Sequence, residues 1–154
     1  MANRNFNRAQ ALDKEVKFLY LYADVTADDG SVTLNKSKSV GVKSIEGGSG
    51  SAHGAGKYHI VLGTPGGDTD KYSTLLHVSA ILEDDTHHGA NGGVGFQLYS
   101  DSTSSTASAN LLINDGIIKF MTLQENGQAA DPKENDAIRI QIVVKNSNQP
   151  GVGV

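Results

Sequence analysis

Ile138, Ile140, Ile142 and Val144 alternate along the chain with Arg139 and Gln141, and Lys145 continues the polar side. A period of two places successive side chains on opposite faces of an extended strand, so one face is buried and the other is wet. Shorter segments of the same kind recur from Leu19 onward, separated by Gly-, Ser- and Asp-rich gaps. Up to about Phe18 the pattern differs, because Leu12, Val16 and Leu19 fall at i, i+4 and i+7 and share one helical face. The chain therefore reads as an antiparallel β domain behind a short N-terminal helix or arm.

The strand assignment follows the gaps. Phe18 to Val25 forms a first strand, and Asp28-Asp29-Gly30 is a hairpin turn into Val32 and Leu34. Val40 and Val42 alternate, and Ile45 breaks phase as at a bulge. Residues 47–56, GGSGSAHGAG, carry too little apolar surface to order themselves and read as a flexible loop. Tyr58, Ile60 and Leu62 make a strand. In the run Leu75 to Leu82, the residues Leu76, Val78, Ala80 and Leu82 share a face opposite Leu75 and Ile81. Such two-sided apolar content predicts a central strand, or one covered on both sides. Val94, Phe96 and Leu98 follow, and Asp115-Gly116 joins Asn110–Asn114 to Ile117–Leu123 as a hairpin. Eight or nine strands without intervening helices predict an all-β fold, an antiparallel β-sandwich of jelly-roll type. The expected division is an arm over 1–18, the sandwich over 19–146 and a flexible Pro/Gly-rich tail over 147–154.

Composition narrows the chemistry. With 154 residues, net charge −4 and pI near 5.6, the chain lacks the basic balance expected of a nucleic-acid binder. No cysteine is present, which removes disulfides, thiolate-bound zinc and thiol catalysis. The first residues lack the apolar segment of a signal peptide, and no apolar run reaches the roughly 20 residues of a membrane helix. The expectation is a chain made in a host cytoplasm without a membrane partner.

Glu83-Asp84-Asp85-Thr86-His87-His88 is the most reactive-looking segment. Adjacent histidines on an extended chain point to opposite sides, and the spacing matches no zinc, iron or calcium motif. It reads as a solvated loop. His77, inside an apolar strand, reads as packed or paired across strands. The Gly pairs at 47–48, 66–67 and 92–93 precede no helix and match no phosphate-binding fingerprint. No nucleophile elbow accompanies the many Ser, His and Asp residues. No catalytic residue, metal or cofactor is assigned. Tyr20, Tyr22, Tyr58, Tyr72 and Tyr99 read as ring-burying residues at sheet rims or subunit interfaces.

The segments MANRNFNRAQALDKEVKFLY, SVTLNKSKSVGVKSI, GKYHIVLG, DKYSTLLHVSAIL and VGFQLYS together resemble small virion proteins of tailed bacteriophages, of the capsid decoration or cement kind. The resemblance runs from Met1 to about Val144 and rests on overall cadence. It implies a non-enzymatic β-sandwich on the capsid surface, assembled with itself as a homotrimer ahead of a dimer. It also implies attachment to the major capsid protein or another virion protein through an N-terminal arm. Arg4, Phe6, Arg8, Leu12 and Val16 are the candidate partner-binding residues of that arm. The alternative is a carbohydrate- or receptor-binding β-sandwich module of a phage fibre, which would use Tyr99 and the loops around His87, His88 and Ser102.

Overall fold

A computed structural model describes residues 16–69, 74–83, 95–99 and 116–145. The alternating segment identified in the sequence is strand β8, Ala137–Lys145. It lies between β1, Val16–Val25, and β5, Thr74–Glu83, antiparallel to both. A short strand β2, Val32–Leu34, pairs with the far side of β1, giving a four-stranded sheet in the order β2-β1-β8-β5. The second sheet has the order β3-β4-β7-β6, from β3 Val42–Gly48, β4 Gly54–Leu62, β7 Ile117–Leu123 and β6 Gly95–Leu98. These are called sheet A and sheet B.

The two sheets share one core. Leu19, Leu21, Ile140 and Ile142 from sheet A pack in the same cluster as Ile60 and Phe120 from sheet B. Tyr58 stacks on Phe120, ring centroids 5.1 Å apart. Each large aliphatic side chain removed from water in this way stabilises the fold by about 1.5–3 kcal/mol. The all-β, two-sheet architecture is the one the period of two implies.

Local departures from the sequence reading have identifiable causes. The first strand begins at Val16, so residues 16–18 belong to β1 and not to a helix. Val16, Lys17 and Phe18 pair with Lys145, Val144 and Val143. A helix of this length is marginal alone, and a ladder on β8 outcompetes it. Arg4, Phe6, Arg8 and Leu12 lie outside the described residues; Val16 is the half-buried first residue of β1. Among the described strands, the one from Leu75 to Leu82 is an edge of sheet A and not a central strand. Its phase is reset by a bulge between Leu75 and His77, which sends Leu75 inward with Val78, Ala80 and Leu82 and leaves Leu76 exposed. Val40 does not continue into Val42. It bridges Tyr20 in sheet A, whereas Val42 opens β3 in sheet B, and Gly41 between them takes φ 71°. The out-of-phase Ile45 does mark a register shift, placed between Val42 and Ser44.

The Gly-rich segment is a hairpin, not a loop without structure. Gly47 and Gly48 finish β3 and Gly54 starts β4. Glycine is required here by close approach, because the Tyr58 ring lies where a side chain at Gly47 would stand. Tyr58 is therefore a core residue and not a rim residue, and its hydroxyl donates to the Gly30 carbonyl at 3.0 Å. Burial, followed by the charges of Asp131 and Asp29, raises its pKa well above the ordinary phenol range. Asp131 ties the same end of the sandwich together. Its carboxylate accepts from the Gly56 amide at 2.6 Å and from both the amide and the hydroxyl of Ser49. The buried Thr122 hydroxyl donates to the Ala130 carbonyl.

Candidate functional site

The outward residues of sheet A form ordered rows. Strand registers align Val16–Lys145–Thr74, Phe18–Val143–His77, Tyr20–Gln141–Ser79, Tyr22–Arg139–Ile81 and Asp24–Ala137–Glu83 across β1, β8 and β5. Val40 flanks Tyr20 on the outer side of β1. Because Leu19, Leu21, Ile140, Ile142, Val78 and Ala80 face the core, Phe18, Tyr20, Tyr22, Arg139, Gln141, Val143, His77, Ser79 and Ile81 between them face away from it, while Ala137 in the end row is buried.

This face is unusually apolar. Phe18 is 54% exposed, Tyr20 45%, Val40 59%, Leu76 50% and Ile81 62%, and these are the exposed large hydrophobic residues among the described residues. All belong to sheet A or its flanks. The outward positions of sheet B instead carry Glu46, His59 and Lys119 in one row across β3, β4 and β7. Val61, Ile117 and Met121 also lie on the outward side of sheet B but are half-buried, so the exposed large hydrophobic residues gather on sheet A.

Cations and rings organise the middle of the apolar side. Lys38 Nζ stands 4.2 Å from the Tyr22 ring centroid and Arg139 Cζ 4.9 Å. In such contacts the cation is drawn to the negative face of the ring, and water weakens the attraction at exposed sites. Arg139 also forms an ion pair with Glu83, both about half exposed, so solvent screens the attraction between them. A hydrogen bond to Tyr22, then the Glu83 charge, raises the Arg139 pKa above its ordinary value. Gln141 Nε2 approaches the Tyr20 hydroxyl at 3.5 Å. Between these side chains runs a shallow groove of about 260 Å³, lined by Tyr20, Tyr22, Lys38, Ser79, Ile81 and Arg139 among others.

The other sequence candidates fall elsewhere. His87, His88, Ser102 and Tyr72 lie outside the described residues. His77 is exposed on the outer face of sheet A, opposite Val143. Tyr99 sits beside sheet B, its hydroxyl 3.1 Å from His59 Nε2, with Lys57 Nζ 5.7 Å from its ring. The β3–β4 hairpin brings His53 and His59 together, ring centroids 3.8 Å apart, a contact the sequence reading did not anticipate. Among the described residues no three His, Cys, Asp or Glu side chains converge as metal ligands would. On the open side of the sandwich, Val78, Ala80, Phe96, Leu98, Ile118 and Phe120 line an apolar cleft of about 580 Å³. It offers contact area but little polar chemistry.

The sheet A face was hidden in the sequence because Phe18-Leu19-Tyr20-Leu21-Tyr22 is apolar throughout. Pattern alone does not say which half of such a run is buried. The register of β8 decides it. No protein family, curated protein or solved structure matches this chain.

Proposed function

We propose that this chain is a non-enzymatic structural protein of a tailed-bacteriophage virion. It self-associates and reinforces the capsid lattice as a decoration or cement protein. The observation that carries the reading is the gathering of Phe18, Tyr20, Val40, Leu76 and Ile81 on one side of the sandwich. Contiguous exposed apolar surface of this kind marks a face that is covered when the protein works. A cement protein acts by burying surface across neighbouring subunits, so rupture of the shell must also break its contacts. In this reading the sandwich is jelly-roll-like; the chain changes sheet after β2, β4, β5 and β7. The arm, with Arg4, Phe6, Arg8 and Leu12, leads into Val16 at one end of sheet A and grips the major capsid protein or another virion protein.

The test is co-sedimentation of the purified chain with assembled heads from the source of the gene. The full chain should pellet with heads at a fixed ratio, and a chain lacking residues 2–14 should stay folded but remain in the supernatant. A full chain that does not pellet overturns the reading.

A second reading, carbohydrate recognition, draws on the Tyr20–Tyr22–Arg139 groove, where rings and hydrogen-bond donors lie together. Saturable binding to a glycan array, lost in Tyr20→Ala, would favour it over lattice binding.

A further inference from the structure

We infer that the edge of β5 away from β8 is a dimer interface, where the bulge-free part of β5 pairs antiparallel with the same residues of a second copy of this chain. The inference rests on the self-association in the function proposed above and supplies its surface and its symmetry. Sheet edges differ in how well they template another strand. Among the described strands the edges are β2, β5, β3 and β6. β2 has three residues, β6 has four, and β3 shifts register near both ends. Short or bulged edges resist pairing with another chain. β5 lacks these protections beyond its bulge. Every residue from His77 to Glu83 pairs with β8 in unbroken register. That stretch, HVSAILE, contains no Pro, Gly, Lys or Arg. Its inner side is also incompletely covered. Val78, Ala80 and Leu82 face the core yet remain half-buried, whereas their neighbours on β8, Ile142, Ile140 and Ile138, are buried. Val78 and Ala80 border the apolar cleft of about 580 Å³ on that side. A further strand beside β5 covers this row.

One register of the second copy uses the whole stretch. A two-fold axis normal to the sheet, passing between the two Ala80 residues, pairs His77–Glu83 with itself and keeps inner face beside inner face. On the inner face it sets Ala80 beside the mate's Ala80 and Val78 beside the mate's Leu82, apolar on apolar. On the outer face it sets Ser79 beside the mate's Ile81 and His77 beside the mate's Glu83. His77 and Glu83 are the titratable side chains of the stretch. They meet twice, imidazole against carboxylate, and Glu83 also pairs with Arg139 of its own chain. An axis at Ser79 would set Glu83 against Leu75, across the bulge. An axis at Ile81 would leave His77 and Val78 unpaired within the stretch. Antiparallel pairing of this length forms about six to eight main-chain hydrogen bonds, which supply the affinity of strand addition at a sheet edge. The two-fold uses both edges at once, so the assembly closes at two chains.

The experiment uses the full chain. Light scattering on a sizing column, from about 1 to 200 μM, should show a shift toward twice the chain mass. Over the same range, amide hydrogen exchange across residues 77–83 should slow by at least about fivefold. Cross-linking tests the register, and the chain has no cysteine of its own. Ser79 stands diagonal to the mate's Ser79 at about 7–8 Å, so Ser79→Cys should be joined to a dimer by a short bis-maleimide. The two His77 positions are offset along the strands by about 20 Å, so His77→Cys should not be joined. Both residues are exposed, so neither change disturbs the core. A single chain mass throughout, a three-chain mass, exchange across 77–83 that ignores concentration, or equal cross-linking through His77→Cys overturns the edge pairing. Head co-sedimentation is read separately. A monomer that still pellets with heads defeats the dimer and leaves lattice attachment standing; a dimer that does not pellet does the reverse.

Discussion

Asp131 Oδ1 accepts a 2.6 Å hydrogen bond from the amide of Gly56, joining positions 75 residues apart in the chain. The same carboxylate holds Ser49, so one side chain from the β7–β8 connection fixes both arms of the β3–β4 hairpin. Hydrogen bonds to a charged acceptor contribute about 1.5–3 kcal/mol. Asp131→Ala should therefore lower unfolding free energy by about 2–3 kcal/mol in urea titration, and Asp131→Asn by less. A loss under 0.5 kcal/mol in the Ala variant would show that the hairpin holds its shape without this link.

Tyr58 gives the fold a weakness at high pH. Its folded pKa is raised, so its contribution is complete below the unfolded value of about 10 and is lost as pH rises beyond it. Tyr58→Phe should cost about 1–2 kcal/mol at neutral pH, because the Gly30 carbonyl loses its donor. It should also flatten the decline between pH 9 and 11.5. Parallel denaturation curves for the two proteins across that range would refute the assignment.

Asp29 is exposed, and the Ser31 hydroxyl and then the Ser31 amide hold its pKa below the ordinary carboxylate value. The stability this linkage supplies is present above the unfolded pKa and is lost as pH falls through the folded one. Carbon-13 NMR should find Asp29 titrating low, and Ser31→Ala should return it part of the way. An unchanged titration in the variant would remove Ser31 as the cause.

The bulge at Leu76 makes an unusual deletion tolerable. Leu75 already pairs with Val144 and His77 with Val143, so removing Leu76 leaves a continuous ladder on β8. The shortened chain should fold with a thermal midpoint within a few degrees of the parent. Deleting Ser79 instead slips one half of β5 by a residue and turns its inward side chains to water. That variant should melt far lower or fail to fold, and equal midpoints for the two deletions would contradict the register.

Gly47→Ala tests the packing of the glycine-rich hairpin. A methyl group there meets the Tyr58 ring and the Lys57 carbonyl, and the second of these is backbone. Overpacking of this kind costs about 1–3 kcal/mol. Gly66→Ala has open space but keeps φ at 80°, so its cost comes from backbone strain alone. Urea midpoints that fall more for Gly66→Ala than for Gly47→Ala would speak against the clash.

Much of the β architecture was legible because alternation leaves a direct mark on sequence. Ile117–Leu123 was read with the observed limits, and Ile138–Val144 within one residue at each end. The errors arose where tertiary contact replaced local pattern. Nothing around Gly47 announces that Tyr58 covers it. Nothing in Leu75-Leu76-His77 reveals a bulge, and an apolar run on an edge strand looks like one in the centre. Val16 obeys a helical spacing that β8 overrides. The exposed apolar face of sheet A was the least visible part, since it depends on registers joining residues more than 100 positions apart, such as Tyr20 with Gln141.

The inequality of the two sides of the sandwich also sets a limit on growth. A tile with bonding groups on both faces stacks without end, and exposed apolar sheets commonly do so. Here the row Glu46–His59–Lys119 gives sheet B a hydrated back. Any association through sheet A would cover those exposed side chains, and among the described residues sheet B carries no large hydrophobic residue as exposed as they are. Assembly through this face alone would end with the first contact it makes.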